Sequence, residues 1–218
     1  MSLKKRQQHL INWLLVLVTG GFLLLTIFVL VDPLSKIDLA FSDEVQEHRN
    51  PVLGAIMHAV SWPGYTPNSE IMVGFTALLF LLFRYKREAL FICLTGAAGL
   101  VSTIVKMLVN RPRPLPTLVD VMEKTEQKSF PSGHVLFYTV FFGFLALLMF
   151  WRKKIPKWVR MPASVCSFVM IFTIPLSRIY LGAHWFTDVT GGFLLGLICL
   201  YVIGYFYFKS GQQSQRHR

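Results

Sequence analysis

The sequence predicts an all-α, polytopic membrane protein with about six transmembrane helices and both termini cytoplasmic, and three features carry that expectation. Of its 218 residues, 54% are hydrophobic and only 15% charged, a balance outside the usual range of soluble domains. The apolar residues fall into six runs, most of them near the ~20 residues that cross ~30 Å of hydrocarbon. The basic residues, finally, crowd into alternate connecting segments. The length suits one transmembrane domain spanning residues 1–218.

The first run, from about 14 to 31, follows Lys4, Lys5 and Arg6 and superficially resembles a signal peptide. It is long for a signal core and lacks a small-residue cleavage site after it, so a retained helix is expected. The second run, 68–84, has a short uninterrupted core from Ile71 to Phe83 and needs Asn68, Ser69 and Glu70 in its first turn, with Pro67 as a start signal. The remaining runs cover 89–108, 133–151, 162–180 and 186–208. Cys93, Cys166 and Cys199 all lie within such runs, where buried packing is expected rather than a disulfide framework.

Six crossings place both termini on one side, and the charges test that layout. The inner segments then hold Lys4, Lys5, Arg6, Arg84, Lys86, Arg87, Arg152, Lys153, Lys154, Lys157, Arg160, Lys209, Arg216 and Arg218, which are 14 of the 22 Lys and Arg. Glu88 is the one acid among them. This is the positive-inside asymmetry, and it accounts for the net charge of +11 without a nucleic-acid partner, whose recognition needs cations gathered on one exposed face.

Two outer segments are long, about 32–67 and 109–131. In the first, Val45, Val52, Ile56 and Val60 recur at near-helical spacing, as in a helix lying on the outer leaflet or one capping the bundle. His48 and His58 there have no Cys or acidic partner at ligand spacing, so no metal site is expected.

Three clusters of chemically capable residues fall on the predicted outer side. KMLVNRPRP ends the third run and carries Lys106 and Arg113. SFPSGHVLFY opens the fourth. Its Pro131, Ser132 and Gly133 suit a helix start whose free N–H groups form an anion site, with His134 beside it. SRIYLGAHWFTDVTGG joins the last two runs and holds Ser177, Arg178, His184 and Asp188. If His184 and Asp188 share the first turn of the last helix, their i,i+4 spacing lets the carboxylate accept the imidazole N–H and free the other nitrogen to attack. Each cluster alone has a plain alternative: a lipid-headgroup anchor, a helix cap or a surface ion pair. Together they supply two imidazoles, a carboxylate, three cations and a helix start, the parts of a metal-free phosphoryl transfer. No Walker-type loop or dense carboxylate group is present.

These motifs closely resemble the signature of the type 2 phosphatidic acid phosphatase superfamily. Lys106 with Arg113-Pro114, then Pro131 to His134, then Ser177-Arg178 with His184 and Asp188, match it in order and spacing over residues 106–188. The resemblance implies a cofactor-free hydrolase. It makes His184 a nucleophile that forms a phosphohistidine, Asp188 its orienting partner and His134 the acid for the leaving group. Lys106, Arg113, Ser132, Gly133 and Arg178 would then hold the phosphate oxygens. Asn110 and Arg111 lie outside the signature and are left out of the expected site.

The implied substrate is a lipid phosphate or diphosphate reached from the outer leaflet of the plasma membrane. Undecaprenyl diphosphate is the first expectation, and phosphatidylglycerophosphate or phosphatidic acid the alternative. A vanadate-holding haloperoxidase, as in soluble members of the superfamily, is disfavoured by the membrane spans. A non-catalytic lipid carrier is hard to reconcile with a complete catalytic set. No protein partner is implied.

Overall fold

The computed structural model describes residues 3–123 and 127–216, and side chains within them apart from those of 3–5, 7 and 212–216. Lys4, Lys5, Arg216 and Arg218, on which the charge count draws, lie outside the described side chains. Among the described residues there are helices and no strands: α1 Leu3–Val31, α2 Lys36–Gln46, α3 Pro51–Ser61, a 3₁₀ turn Trp62–Gly64, α4 Asn68–Leu82, α5 Lys86–Thr95, α6 Ala98–Val109, α7 Gly133–Trp151, α8 Lys157–Tyr180 and α9 Phe186–Arg216.

Five stretches, Gln8–Val31, Lys86–Val109, Gly133–Trp151, Lys157–Tyr180 and Phe186–Gly211, are long and apolar enough to cross a membrane, and the protein is a multi-pass membrane protein. The expected second crossing is α4, whose 15 residues reach only about 22 Å at ~1.5 Å per residue. The expected third crossing, Lys86–Val109, is two helices rather than one. Gly96 and Ala97 donate to the carbonyls of Cys93 and Leu94, so the chain tightens into i→i+3 bonds between α5 and α6.

Helix α7 occupies the centre, with a run of buried side chains from Val135 to Phe142, and packs against α5, α6, α8 and α9. Phe80, Ile92, Phe141, Phe144, Ile174 and Tyr207 form one cluster on it. Phe22, Val29, Phe130, Leu136, Val140 and Leu195 form another, which binds α1 to the bundle. Close approach of α9 to α7 depends on small residues: a Cβ at Gly192 would stand 2.6 Å from the Ser132 carbonyl oxygen. Leu17, Leu24, Leu108 and Phe172 point outward and exposed, as lipid-facing side chains do. At the far end of the bundle the buried Glu88 pairs with Arg152 and accepts the Tyr207 hydroxyl at 2.8 Å, which accounts for an acid in an otherwise basic region.

The segment 32–67 differs from the single helix expected. The first helix ends at Gln46 and Asn50 starts another, its side chain accepting the Leu53 N–H at 2.8 Å with Pro51 in the first turn. Val45 and Val60 pack on the core cluster while Val52 and Ile56 point outward. Helices α2 and α3 therefore cap the bundle, lying against α8. Cys93 and Cys166 also depart from expectation: both are exposed, with Cys199 half-buried, and all three are free thiols. An apolar run in a membrane helix has a lipid-facing side as well as a packed one, and the run itself does not say which side a residue takes.

Candidate active site

Three chain segments deliver the site, each through a local feature of its sequence. Lys106 lies in the last turn of α6, which ends when Asn110 adopts a left-handed conformation (φ 52°) and donates its N–H to the Lys106 carbonyl. Beyond it Pro112 and Pro114 disfavour helix, and Arg111 and Arg113 turn into the bundle. The second segment reaches α7 through Ser132, whose extended backbone donates to the Asp188 carbonyl at 3.0 Å. The third turns at Gly182 (φ 64°), where a Cβ would meet the Asp120 carbonyl oxygen at 2.1 Å, so only glycine fits. The N–H groups of Ala183 and His184 then both donate to the Arg178 carbonyl.

Lys106, Arg113, Gly133, His134, Arg178 and His184 line one cavity of about 890 Å³. Ser132 and Asp188, the other two expected residues, lie buried behind it. The cavity continues from these polar groups between α4 and the α5–α6 pair, past Gly74, Cys93, Gly96 and Gly99, so a polar end joins an apolar one.

His184 is buried, with Nε2 3.4 Å from Arg113 Nη1. It precedes α9 by two residues instead of sharing its first turn. Its Nδ1 stands 3.5 Å from Asp188 Oδ2, an ion-pair distance without a hydrogen bond. Asp188 accepts instead from Ser129 Oγ on Oδ2, from the Trp185 N–H at 2.8 Å, and from Arg111 on Oδ1 at 2.6 Å. Burial, then the cations of Arg113, Arg178 and Lys106, hold the His184 imidazole well below its usual pKa of 6.5. His134 faces the same space with its Nε2 buried and unbonded. Its ring meets Tyr65 edge-on at 4.8 Å and lies so close to Gly64 that a Cβ there would stand 2.4 Å from Cδ2.

The cations are held by backbone and side-chain acceptors. Lys106 Nζ donates to Gln127 Oε1 at 3.1 Å, and Arg113 donates to the carbonyls of Gln127 and Ala183, both at 2.6 Å. Burial and the neighbouring Arg178 push Arg113 down to about 10. Arg178 forms a two-pronged pair with Glu123, both bonds 2.7 Å, and also donates to Ser61 and Tyr65. Burial alone would raise the Glu123 carboxyl, but the bonds from Arg178 and Tyr65 outweigh it and hold it below the usual range.

Arg111, which the expected site left out, does not line the cavity. It is 2% exposed, bonded to Asp188, and reaches Asp38 of α2 at 2.6 Å. Glu123, Tyr65 and Asp38 were equally out of reach of local motif reading. The one local signal was an arginine between a helix end and a proline, which suits a solvated loop as well. Three cations about two imidazoles form a pocket suited to a tetrahedral anion.

A family model described as the PAP2 superfamily matches residues 87–212. Phosphatidylglycerophosphatase B of Bacillus subtilis is 27% identical over 189 residues, covering 84% of this chain and 89% of that protein. Undecaprenyl-diphosphatase BcrC of the same organism is 27% identical over 167 residues, 74% of this chain and 77% of its own. Among solved structures, a transmembrane PAP2-type phosphatidylglycerolphosphate phosphatase from Bacillus subtilis superposes with a TM-score of 0.76 at 24% identity, over 89% of this chain and 96% of that one. Aquifex aeolicus LpxE superposes with a TM-score of 0.58 at 22% identity, over 78% and 95%. At these identities the structural likenesses speak to the fold.

Proposed function

Since the chain belongs to the PAP2 superfamily and is a membrane phosphatase of it, we propose that it removes phosphate from a lipid phosphate or diphosphate at the outer membrane face through a phosphohistidine on His184. The observation that carries this is the convergence of His184 and His134 on one cavity that Lys106, Arg113 and Arg178 also line.

In the first step the His184 Nε2 lone pair attacks phosphorus while the bond to the leaving oxygen breaks. His134 gives that oxygen a proton, and the lipid alcohol, or lipid phosphate from a diphosphate, departs. The imidazole then carries a positive charge, which Asp188 beside Nδ1 stabilises. In the second step a water attacks phosphorus, His134 takes its proton, the N–P bond breaks and inorganic phosphate leaves. Lys106, Arg113 and Arg178, with Ser132 and the Gly133 N–H at the start of α7, hold the nonbridging oxygens, whose charge builds in the trigonal bipyramid. For Arg178 to take part, phosphate must displace Glu123. No step calls on a metal, so turnover is expected to survive EDTA, and a loss restored by magnesium would overturn the scheme.

Helix α7 supports the proposed orientation. It begins at the site and, 19 residues long, ends at Trp151, about 27 Å away at ~1.5 Å per residue, where Arg152, Lys153, Lys154 and Lys157 follow. The positive-inside tendency puts that end in the cytoplasm and the site outside the plasma membrane. A site there meets undecaprenyl diphosphate, the substrate proposed. Phosphatidylglycerophosphate is the second reading, favoured by the relative named for it, which this chain covers most fully of the two reported.

The test is kcat/KM of the purified protein on undecaprenyl diphosphate, phosphatidylglycerophosphate and phosphatidic acid in matched mixed micelles, because that ratio measures discrimination. A preference for undecaprenyl diphosphate is expected. Trapping of an acid-labile, base-stable phosphoenzyme is expected alongside it. A clear preference for phosphatidylglycerophosphate would reverse the substrate order and leave the mechanism, whereas no phosphate release from any of the three would remove the phosphatase reading.

A further inference from the structure

A buried chain of alternating charges stands behind the nucleophile, and the steps above use only its last member, Asp188. Arg111 Nη1 donates to Asp188 Oδ1 at 2.6 Å and to Thr187 Oγ1 at 2.7 Å, and its Nη2 to Asp38 Oδ2 at 2.6 Å and the Pro33 carbonyl at 2.9 Å. Asp38, in the first turn of α2, accepts the Thr187 N–H at 2.8 Å on its other oxygen. Asp38 and Asp188 have no exposed surface, and Arg111 is 2% exposed.

Such a triad is a poor device for stability alone, because removing three charges from water costs about as much as their attraction returns and apolar packing of the same volume serves as well. Its geometry suits another purpose. The Asp188 Oδ2 atom faces His184 Nδ1 at 3.5 Å and is held by Ser129 and the Trp185 N–H, while Oδ1, the second point that fixes the carboxylate plane, is held by Arg111. Arg111 is in turn oriented by Asp38 and the Pro33 carbonyl, both outside the motifs that carry the chemistry.

We propose that Asp38 and Arg111 are positioning residues for the phosphorylation of His184. They fix the plane of the Asp188 carboxylate, and with it the aim of the imidazole at phosphorus. This rests on the His184 nucleophile reading and extends it to helix α2, which thereby becomes part of the active unit. Neither residue lines the cavity, so substrate binding does not depend on them. Misplacement of a nucleophile on this scale slows the chemical step by about 10- to 100-fold.

The experiment compares Asp38→Asn, Arg111→Gln and the double variant with the parent, all purified full length, using undecaprenyl diphosphate in mixed micelles and p-nitrophenyl phosphate. Each single variant is expected to lose kcat by about 10- to 100-fold on both substrates with KM nearly unchanged, since the aim of the nucleophile matters whichever group leaves. The double variant is expected to be no slower than the slower single, as for residues that act as one unit. Asp38→Asn leaves Arg111 paired with Asp188, so it is the variant least exposed to an uncompensated buried charge, and it carries the test alone if a variant lacking Arg111 aggregates. Retention of kcat, a rise in KM at constant kcat, or losses that multiply in the double would each overturn the proposal. Aggregation of all three would too, by assigning the pair to folding. A parent that releases no phosphate would take the phosphatase reading down with it, whereas unaffected variants of an active parent would remove this inference only.

Discussion

Glu123 accepts two hydrogen bonds of 2.7 Å from the Arg178 guanidinium, and the Tyr65 hydroxyl adds a third to the same carboxylate at 2.5 Å. The carboxylate thus occupies the fork that a phosphate would take, in the bidentate geometry common to both anions. Under the proposed mechanism, phosphate binding exchanges one anion for another.

Glu123→Gln is expected to bind phosphate and vanadate more tightly, because a neutral amide competes less well for the guanidinium. The gain should be about tenfold, the worth of about 1.4 kcal/mol from one charge-assisted bond. The measurement is the competitive inhibition constant of each anion. An unchanged or weaker constant would mean that Glu123 supports Arg178 rather than competing with substrate.

His184→Ala is expected to abolish turnover and phosphoenzyme formation, since neither half of the reaction proceeds without the nucleophile. His134→Ala is expected to slow a lipid alcohol leaving group by about 10²- to 10⁴-fold and p-nitrophenolate by much less, because the latter needs little protonation. Equal losses on the two substrates would strip His134 of its role as acid.

The pH profile follows from the direction of the His184 shift. Only the neutral imidazole attacks, and a lowered pKa keeps it neutral as pH falls through 6.5. The acid limb of kcat/KM, which reports the free enzyme, should therefore lie below 6.5 once titration of the substrate phosphate is allowed for. Arg113→Gln removes the largest charge contribution and should move that limb upward. A parent limb at or above 6.5 would contradict the burial argument.

Orientation is testable by thiol labelling in intact cells. Cys93 and Cys166 are exposed, so all three native cysteines must first be replaced. In that background Glu47→Cys, on the exposed rim before α3, should react with an impermeant maleimide. Lys154→Cys should react only after lysis. The opposite pattern would place the active site in the cytoplasm.

Much of the fold and site was legible along the chain. The runs that form α1, α7, α8 and α9 showed in their apolar length, and α7 begins at the expected residue, Gly133. Six of the eight expected site residues line one cavity, with the other two directly behind it. Legibility failed where a residue's partner is far away in sequence. Arg111 gave no sign of meeting Asp38, 73 positions earlier, nor Arg178 of meeting Glu123, 55 positions earlier. The tightening at Gly96 and the break at Asn50 were also missed, because an average over an apolar or amphipathic run smooths out a single-residue change of direction.

By itself the sequence determined what depends on composition and short spacing. Hydrocarbon thickness demands long apolar runs, loop cations follow the membrane's polarity, and phosphoryl transfer needs particular side chains at particular helix ends. Tertiary structure alone decided which atoms bond to which. Asp188 faces His184 at 3.5 Å but gives its closest bonds to Ser129 and Arg111, and Arg178 waits in the grip of Glu123. The reason is physical: a carboxylate buried among several donors takes the geometry their combined positions allow, and those positions come from segments that only the packed bundle brings together.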